Sequence, residues 1–263
     1  MDLSIVVPAF KQAKTIRSDL RALTKFLQTL HGTKEIIVVV DGNSDGTAEL
    51  IAQDEQLSHV RITSLEKNHG KGYALKTGLA QATGNIIGFI DAGGDIEYSC
   101  LSLMVNIMQF SGADIVIGSK RHPLSQVRYP LIRHIYSFSY QLLNRILFRL
   151  NVRDTQVGVK LFRREVLETI LPHIKINRFA FDLELLVQAR AFGYTHIIES
   201  PVRITHRFNS TISFSVVLET LKDTIVLFRR IDQKTRNIQP SPGISMTLLA
   251  TKTTQQAKEY SRQ

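Results

Sequence analysis

The 263-residue chain has a single cysteine, Cys100, which excludes an internal disulfide framework and a thiolate metal cluster and fits a reducing compartment. Eighteen apolar residues never run uninterrupted, so no helix is expected to span a bilayer, although one can lie on its surface. The opening MDLSIVVPAF carries an acid at position 2 and passes directly into a core strand, so no secretory signal is expected. Internal repeats are absent too. Acidic residues are in deficit, 23 against 33 Lys and Arg, and the formal net charge is +10. Such an excess calls for an acidic partner: nucleic acid, anionic lipid or a phosphorylated small molecule. The basic residues are not interleaved with exposed aromatics, and neither helix-turn-helix nor zinc-finger spacing occurs, so nucleic acid is not the expected partner.

What is present is a regular alternation. Apolar runs at Ser4–Val7, Ile36–Val40, Val60–Ser64, Ile86–Ile90 and Asp114–Gly118 predict strands. Between them, helical periodicity marks Ala13–Leu30, Thr47–Ala52 with Asn43 or Ser44 as cap, Gly72–Gln81 and Leu101–Phe110. Strand alternating with helix predicts an α/β domain with right-handed crossovers and a mainly parallel sheet covered on both faces. No linker interrupts it before the last thirty residues, and the chain is long enough to bury one substantial core.

Two of the strands stop abruptly at acids. IIVVVDGNSDGT ends its apolar run at Asp41, and NIIGFIDAGGD ends at Asp91 with a second carboxylate, Asp95, four residues on. In open α/β sheets ligands bind beyond the carboxyl ends of parallel strands, so both acids are expected to face one crevice. Asp45–Thr47 reads equally well as an ordinary turn. The loop EKNHGKGYALKTG has Gly70 and Gly72 but lacks the third glycine of a dinucleotide fingerprint, and it is not a P-loop. Glycines before a helix N-terminus still let backbone N–H groups approach a phosphate, and Lys71 adds charge there.

The order of these features, PAF (Pro8, Ala9, Phe10), VVDGNSDGT, NHGKGYALKTG and D-A-x-x-D, resembles that of GT-A-fold glycosyltransferases of the family-2 type. GSKRHP, RDTQVGVKLFRRE, RFAFDLELL and HRFNSTIS resemble the dolichyl- and polyprenyl-phosphate sugar synthases within it, over roughly residues 1–230. The resemblance implies a nucleotide-sugar donor, UDP-glucose or GDP-mannose, held by Pro8, Ala9, Asp41, Lys71 and Asp91. Asp41 would meet the base, and Asp91 would lie by the ribose and diphosphate. It also implies Mg²⁺ or Mn²⁺ on a D-x-D cluster, whose second acid is replaced here by Gly93, leaving Asp91 and Asp95, the latter where relatives often have a third ligand, as the metal ligands. Relatives continue P-A-F/Y with Asn-Glu, where this chain has Lys11 and Gln12.

The same resemblance implies a lipid phosphate acceptor held by Lys120, Arg121, Arg133, Ser137 and Arg207, with Lys120 and Arg121 both open for one position. A phosphate monoester is close to a dianion near neutral pH, so it needs cations rather than a base. A hydroxyl acceptor would need Asp182 or Glu184 as general base. These two acids are two residues apart and cannot share a helix face, and Asp182 is the better site candidate.

Two apolar stretches with basic ends, Tyr129–Val152 and Ser213–Arg230, predict amphipathic interfacial helices with Arg145, Arg149, Arg229 and Arg230 near anionic headgroups. The expected organisation is a catalytic domain over 1–212, an interfacial helix over 213–236 and a flexible tail over 237–263. The expected protein is an inverting hexosyltransferase, with Asp91, Asp95, Asp182, Arg133 and Arg207 in the reaction centre. It would be peripheral at the cytoplasmic face of a membrane and would carry glucose or mannose to a polyprenyl or dolichyl phosphate. Two alternatives remain: transfer to a sugar or protein hydroxyl, and a relative that binds nucleotide sugar through a weakened metal site.

Overall fold

The computed structural model describes residues 2–127, 131–205 and 214–237, of which 131–138, 214–216 and 232–237 are described by backbone alone. Residues 1–224 form one compact unit, and the chain from 225 onward forms a second whose described part is the last turns of the final helix. Within the first unit the chain runs β1 (Leu3–Ala9), α1 (Ile16–Gln28), β2 (Lys34–Asp41), α2 (Thr47–Ala52), β3 (Arg61–Leu65), α3 (Lys71–Gln81) and β4 (Ile86–Ile90). It continues through α4 (Cys100–Ser111), β5 (Ile115–Ser119), α5 (Leu131–Phe148), β6 (Val159–Arg163), α6 (Arg164–Ile170), α7 (Phe181–Ala191) and β7 (Ile197–Pro201). The final helix, α8, spans Phe214–Asn237, so the boundary between the units falls inside it.

The strands form one seven-stranded sheet in the order β3-β2-β1-β4-β6-β5-β7. All pairs are parallel except those of β6, which runs antiparallel to β4 and β5. Alternation of side chains explains why both faces are covered. Ile5, Val7, Ala9, Ile36, Val38 and Val40 share a core with Ile16, Leu20, Leu23 and Leu27 of α1. The opposite face carries Val6 and Val39 against α3, where a Cβ on Gly78 would stand 2.4 Å from Val6 Cγ1.

Two local features differ from the sequence expectation. Helix α1 begins at Ile16 rather than Ala13, because residues 11–15 form a turn that ties to the next loop: Ala13 N–H donates to Asp45 Oδ2 (3.0 Å) and Gln12 N–H to Thr47 Oγ1 (3.2 Å). Helix α2 has Gly46, at φ 76°, in the N-cap position. Asn43 caps from further back, its Oδ1 accepting from Ala48 N–H at 3.0 Å.

Candidate functional site

The sheet order brings the carboxyl ends of β2, β1 and β4 side by side, so Asp41, Pro8–Ala9 and Asp91 end on one rim. Strand β5 is parallel to these, which places Lys120 and Arg121, just past Ser119, on the same end of the sheet. The antiparallel β6 starts there, with Val159 opposite Ile90. The rim is thus built from strand ends that lie far apart in sequence.

Asp41 is 3% exposed, and its Oδ1 and Oδ2 accept from the backbone N–H groups of His69 (2.7 Å) and Gly70 (2.8 Å). Its structural task is therefore to hold the NHGKG loop; each oxygen retains a further lone pair for a ligand. Gly70 has φ 102°, and a Cβ on it would lie 2.5 Å from Asn177 O, so both backbone conformation and space demand glycine. Tyr73 N–H donates to that same carbonyl at 3.1 Å.

Held from both sides, the loop delivers Lys71 at the first position of α3 into a chain of alternating charges. The Lys71 ammonium lies 2.8 Å from Asp91 Oδ1, 2.9 Å from Asp91 Oδ2 and 3.4 Å from Asp182 Oδ2. Asp182, 2% exposed in the first turn of α7, also accepts from Lys160 Nζ. Lys160, on β6 and fully buried, donates to Val157 O (2.7 Å) and stands 5.3 Å from the centre of the Phe89 ring. Burial works against the charge on Lys71, but the carboxylates of Asp182 and Asp91 outweigh it and raise the lysine pKa. Burial likewise opposes ionisation of Asp182, yet Lys160 and Lys71 overcome it and hold this carboxyl below its ordinary value. At Lys160 burial dominates and the pKa falls, with Asp182 opposing.

Lys160 is the site residue that sequence reasoning missed. A lysine inside the apolar run VGVKLF was the available signal, since a charge in a central strand must be paired. Glu184, by contrast, belongs elsewhere: its Oε2 accepts from Lys175 and Ile176 N–H at 2.9 and 2.7 Å, bracing the segment ahead of α7.

Asp91 N–H donates to Gly158 O at 2.8 Å, and a Cβ on Gly158 would stand 2.0 Å from Asp91 Oδ2. Its Oδ1 is buried and, despite the nearby ammonium, accepts no directed hydrogen bond among the described residues. Asp95 is half-buried, and its carbonyl accepts from Thr205 N–H at 3.0 Å. Between the two acids Gly93 and Gly94 have φ 105° and 65°, and no atom of the described residues lies within 4 Å of a Cβ on Gly93. No cluster of three or more His, Cys, Asp or Glu able to hold a metal occurs among the described residues. Among the acceptor candidates, Lys120 N–H donates to Asp154 Oδ2 (3.1 Å) and Arg121 N–H to Ser119 Oγ (3.3 Å). Arg133 and Ser137 lie on α5 where only backbone is described, and Arg207 lies outside the described residues.

A mainly parallel α/β sheet with acids and a glycine-flanked lysine along one rim has the arrangement of the GT-A fold. The crystal structure of glucosyl-3-phosphoglycerate synthase from Mycobacterium tuberculosis in complex with uridine diphosphate shares the fold at TM-score 0.66 and 18% identity, over 88% of this chain and 79% of that one. The same enzyme with Mn²⁺, UDP-glucose and phosphoglyceric acid aligns at TM-score 0.65 and 19% identity, with the same coverage. The dolichyl-phosphate beta-glucosyltransferase of Dictyostelium discoideum is 31% identical over 85% of this chain and 72% of its own length. One from Trichomonas vaginalis is also 31% identical, over 72% of this chain and 61% of its own length. Residues 4–171 match the model of glycosyl transferase family 2, and the chain belongs to that family.

Proposed function

We propose that this glycosyltransferase moves glucose from UDP-glucose, with inversion, to a polyprenyl or dolichyl phosphate at the cytoplasmic face of a membrane. The observation that carries the choice of acceptor is Asp182. A general base for a hydroxyl needs a carboxylate free to take a proton, whereas Asp182 is clamped by Lys160 and Lys71 with its pKa lowered. A phosphate monoester arrives already ionised and requires cations instead. The relatives named above, two dolichyl-phosphate glucosyltransferases, support the same acceptor and sugar.

In this reading Asp41 keeps the loop and the base end of the donor in register. Lys71 leaves Asp91 for the donor diphosphate, so that its charge follows the leaving group. Lys120, Arg121, Arg133, Ser137 and Arg207 receive the acceptor phosphate. The residues present fit a hard divalent cation: Asp91 offers a buried carboxylate oxygen without a hydrogen bond, and Asp95 shares its loop. Mg²⁺ or Mn²⁺ bound there would neutralise the diphosphate as it departs.

Attachment is assigned to the amphipathic helices. Leu142 (47% exposed) and Ile146 (68%) stand one turn apart on α5, with Arg145 and Arg149 exposed beside them. Leu218 (52%) on α8 is exposed as well. No helix among the described residues is long and apolar enough to cross a membrane.

The deciding experiment offers radiolabelled UDP-glucose with polyprenyl phosphate, with soluble sugars, or alone. Label in the lipid fraction, with Asp182→Asn retaining more of it than Arg133→Ala or Arg207→Ala, supports the proposal. Label on the soluble sugars, lost in Asp182→Asn, would establish the hydroxyl-acceptor alternative.

A further inference from the structure

Beside the charged chain lies a neutral polar cluster with no role in the reading so far. Tyr140 and Asn144 are one turn apart on α5, Thr224 faces them from α8, and Gln156 comes from the segment before β6. The Tyr140 hydroxyl and Thr224 Oγ1 are hydrogen-bonded at 2.9 Å. Burial raises the Tyr140 pKa, with the hydroxyl of Thr224 and the amides of Asn144 and Gln156 opposing and the Asp182 charge adding to it, so all four groups surround one phenol. Asn144 is 1% exposed, yet among the described residues neither Nδ2 nor Oδ1 has a hydrogen-bond partner of proper geometry, and Gln156 Nε2 also has none. Each unpaired buried polar group has given up its hydration without replacement, a loss an apolar side chain of the same shape would avoid.

The placement of these unpaired groups is informative. Gln156 immediately precedes Val157, whose carbonyl accepts from Lys160, and Gly158, which abuts the Asp91 carboxylate. The cluster therefore adjoins the stretch between Asp91 and Asp182. Its free valences are of both kinds, amide N–H donors and an amide carbonyl acceptor, and either orientation of the Asn144 amide leaves one of each. A phosphate dianion only accepts, so it would set an oxygen against the Asn144 carbonyl. A hydroxyl both donates and accepts.

We propose that Asn144 and Gln156, backed by Tyr140 and Thr224, form a subsite for one hydroxyl of the donor's hexose and so select the sugar. The inference rests on the nucleotide-sugar reading above and adds the sugar-recognising residues to it. Selection of this type is strong, because an analogue lacking the hydroxyl leaves the buried amides unpaired in the closed complex.

The test compares UDP-glucose with its 2-, 3-, 4- and 6-deoxy analogues on the full chain and on Asn144→Leu and Gln156→Leu. The full chain should disfavour one deoxy analogue by at least about tenfold in kcat/KM. Asn144→Leu should lose that factor on UDP-glucose and keep its activity on that one analogue, with the ratios for the others unchanged. Its Tm should stay level or rise, because an unpaired amide has been replaced by an apolar group of similar size. Should Asn144→Leu fold poorly, the same ratios are read from Gln156→Leu. Identical discrimination in variants and parent would overturn the subsite and leave a packing or water-binding cluster. If no lipid phosphate is glucosylated at all, the acceptor reading fails and calorimetric affinities for UDP-glucose and UDP decide the subsite. A preference for UDP-glucose that disappears in Asn144→Leu sustains it; equal affinities in the parent refute it.

Discussion

Lys160 and Asp182 show how a single buried charge dictates its surroundings. Removing one member of a buried pair leaves the other uncompensated, a loss of about 3–5 kcal/mol, whereas removing both can be close to neutral. Lys160→Met alone should therefore lower the denaturation midpoint more than Lys160→Met combined with Asp182→Leu, and a urea double-mutant cycle measures the difference. The double variant should turn over more slowly than the parent, since Lys71 then has only Asp91 to place it. Gly93 makes a complementary case. Restoring an acid with Gly93→Asp puts an L side chain at φ 105°, which costs about 1–3 kcal/mol although no described residue crowds it. The variant should have a lower Tm while needing less Mn²⁺ for half-maximal activity; an unchanged metal requirement would show that position 93 is neutral towards the cation.

At the scale of elements, two ties hold the β1–β4 half of the sheet together. Asp41 and Gly70 lock the loop ahead of α3, so Gly70→Ala, with its 2.5 Å approach to Asn177 O, should displace Lys71 and weaken UDP affinity about tenfold or more in calorimetry. Glu35, on β2, joins β1, β3 and the α3–β4 turn through Ser4 Oγ (2.6 Å), Arg61 (2.9 Å) and the Thr83 N–H (2.6 Å) and hydroxyl (2.7 Å). Burial pushes its pKa up, but these hydrogen bonds prevail and lower it from 4.5 to about 2. A depressed carboxyl pKa contributes stability that is complete above 4.5 and is lost as the pH falls towards 2. Its contribution is at most about 3 kcal/mol. Denaturation midpoints of the parent should drop across that window, and those of Glu35→Gln should drop less.

For the whole molecule, the net charge of +10 and the exposed apolar turn on α5 point the same way. The protein should sediment with anionic vesicles and be released in part by high salt. Replacing Leu142 and Ile146 by Ser should cut activity on long-chain lipid phosphate far more than on a short, water-soluble prenyl phosphate. Equal losses on both would assign that face to packing. The pH dependence of turnover should rise through about 6, where the acceptor monoester gains its second charge, because the clamped Asp182 does not titrate there. A limb that disappears in Asp182→Asn would instead mark it as a base.

Strand and helix periodicities, together with apolar runs ending at Asp41 and Asp91, made the α/β class and the shared rim of strand ends legible in the sequence, because both depend on local pattern. The motifs in the second half carried the family. The antiparallel course of β6 was not legible: VKLFR reads as a buried strand, but its direction is set by where the chain re-enters the sheet, between β4 and β5. Nor did spacing disclose that Lys71, Asp91, Asp182 and Lys160 form one charged chain, since they come from α3, the end of β4, α7 and β6. Local preference determines which residues stand at a strand end or in a helix's first turn. Which charges neutralise one another is decided only when burial removes water and leaves each charge the partners that tertiary packing brings within reach.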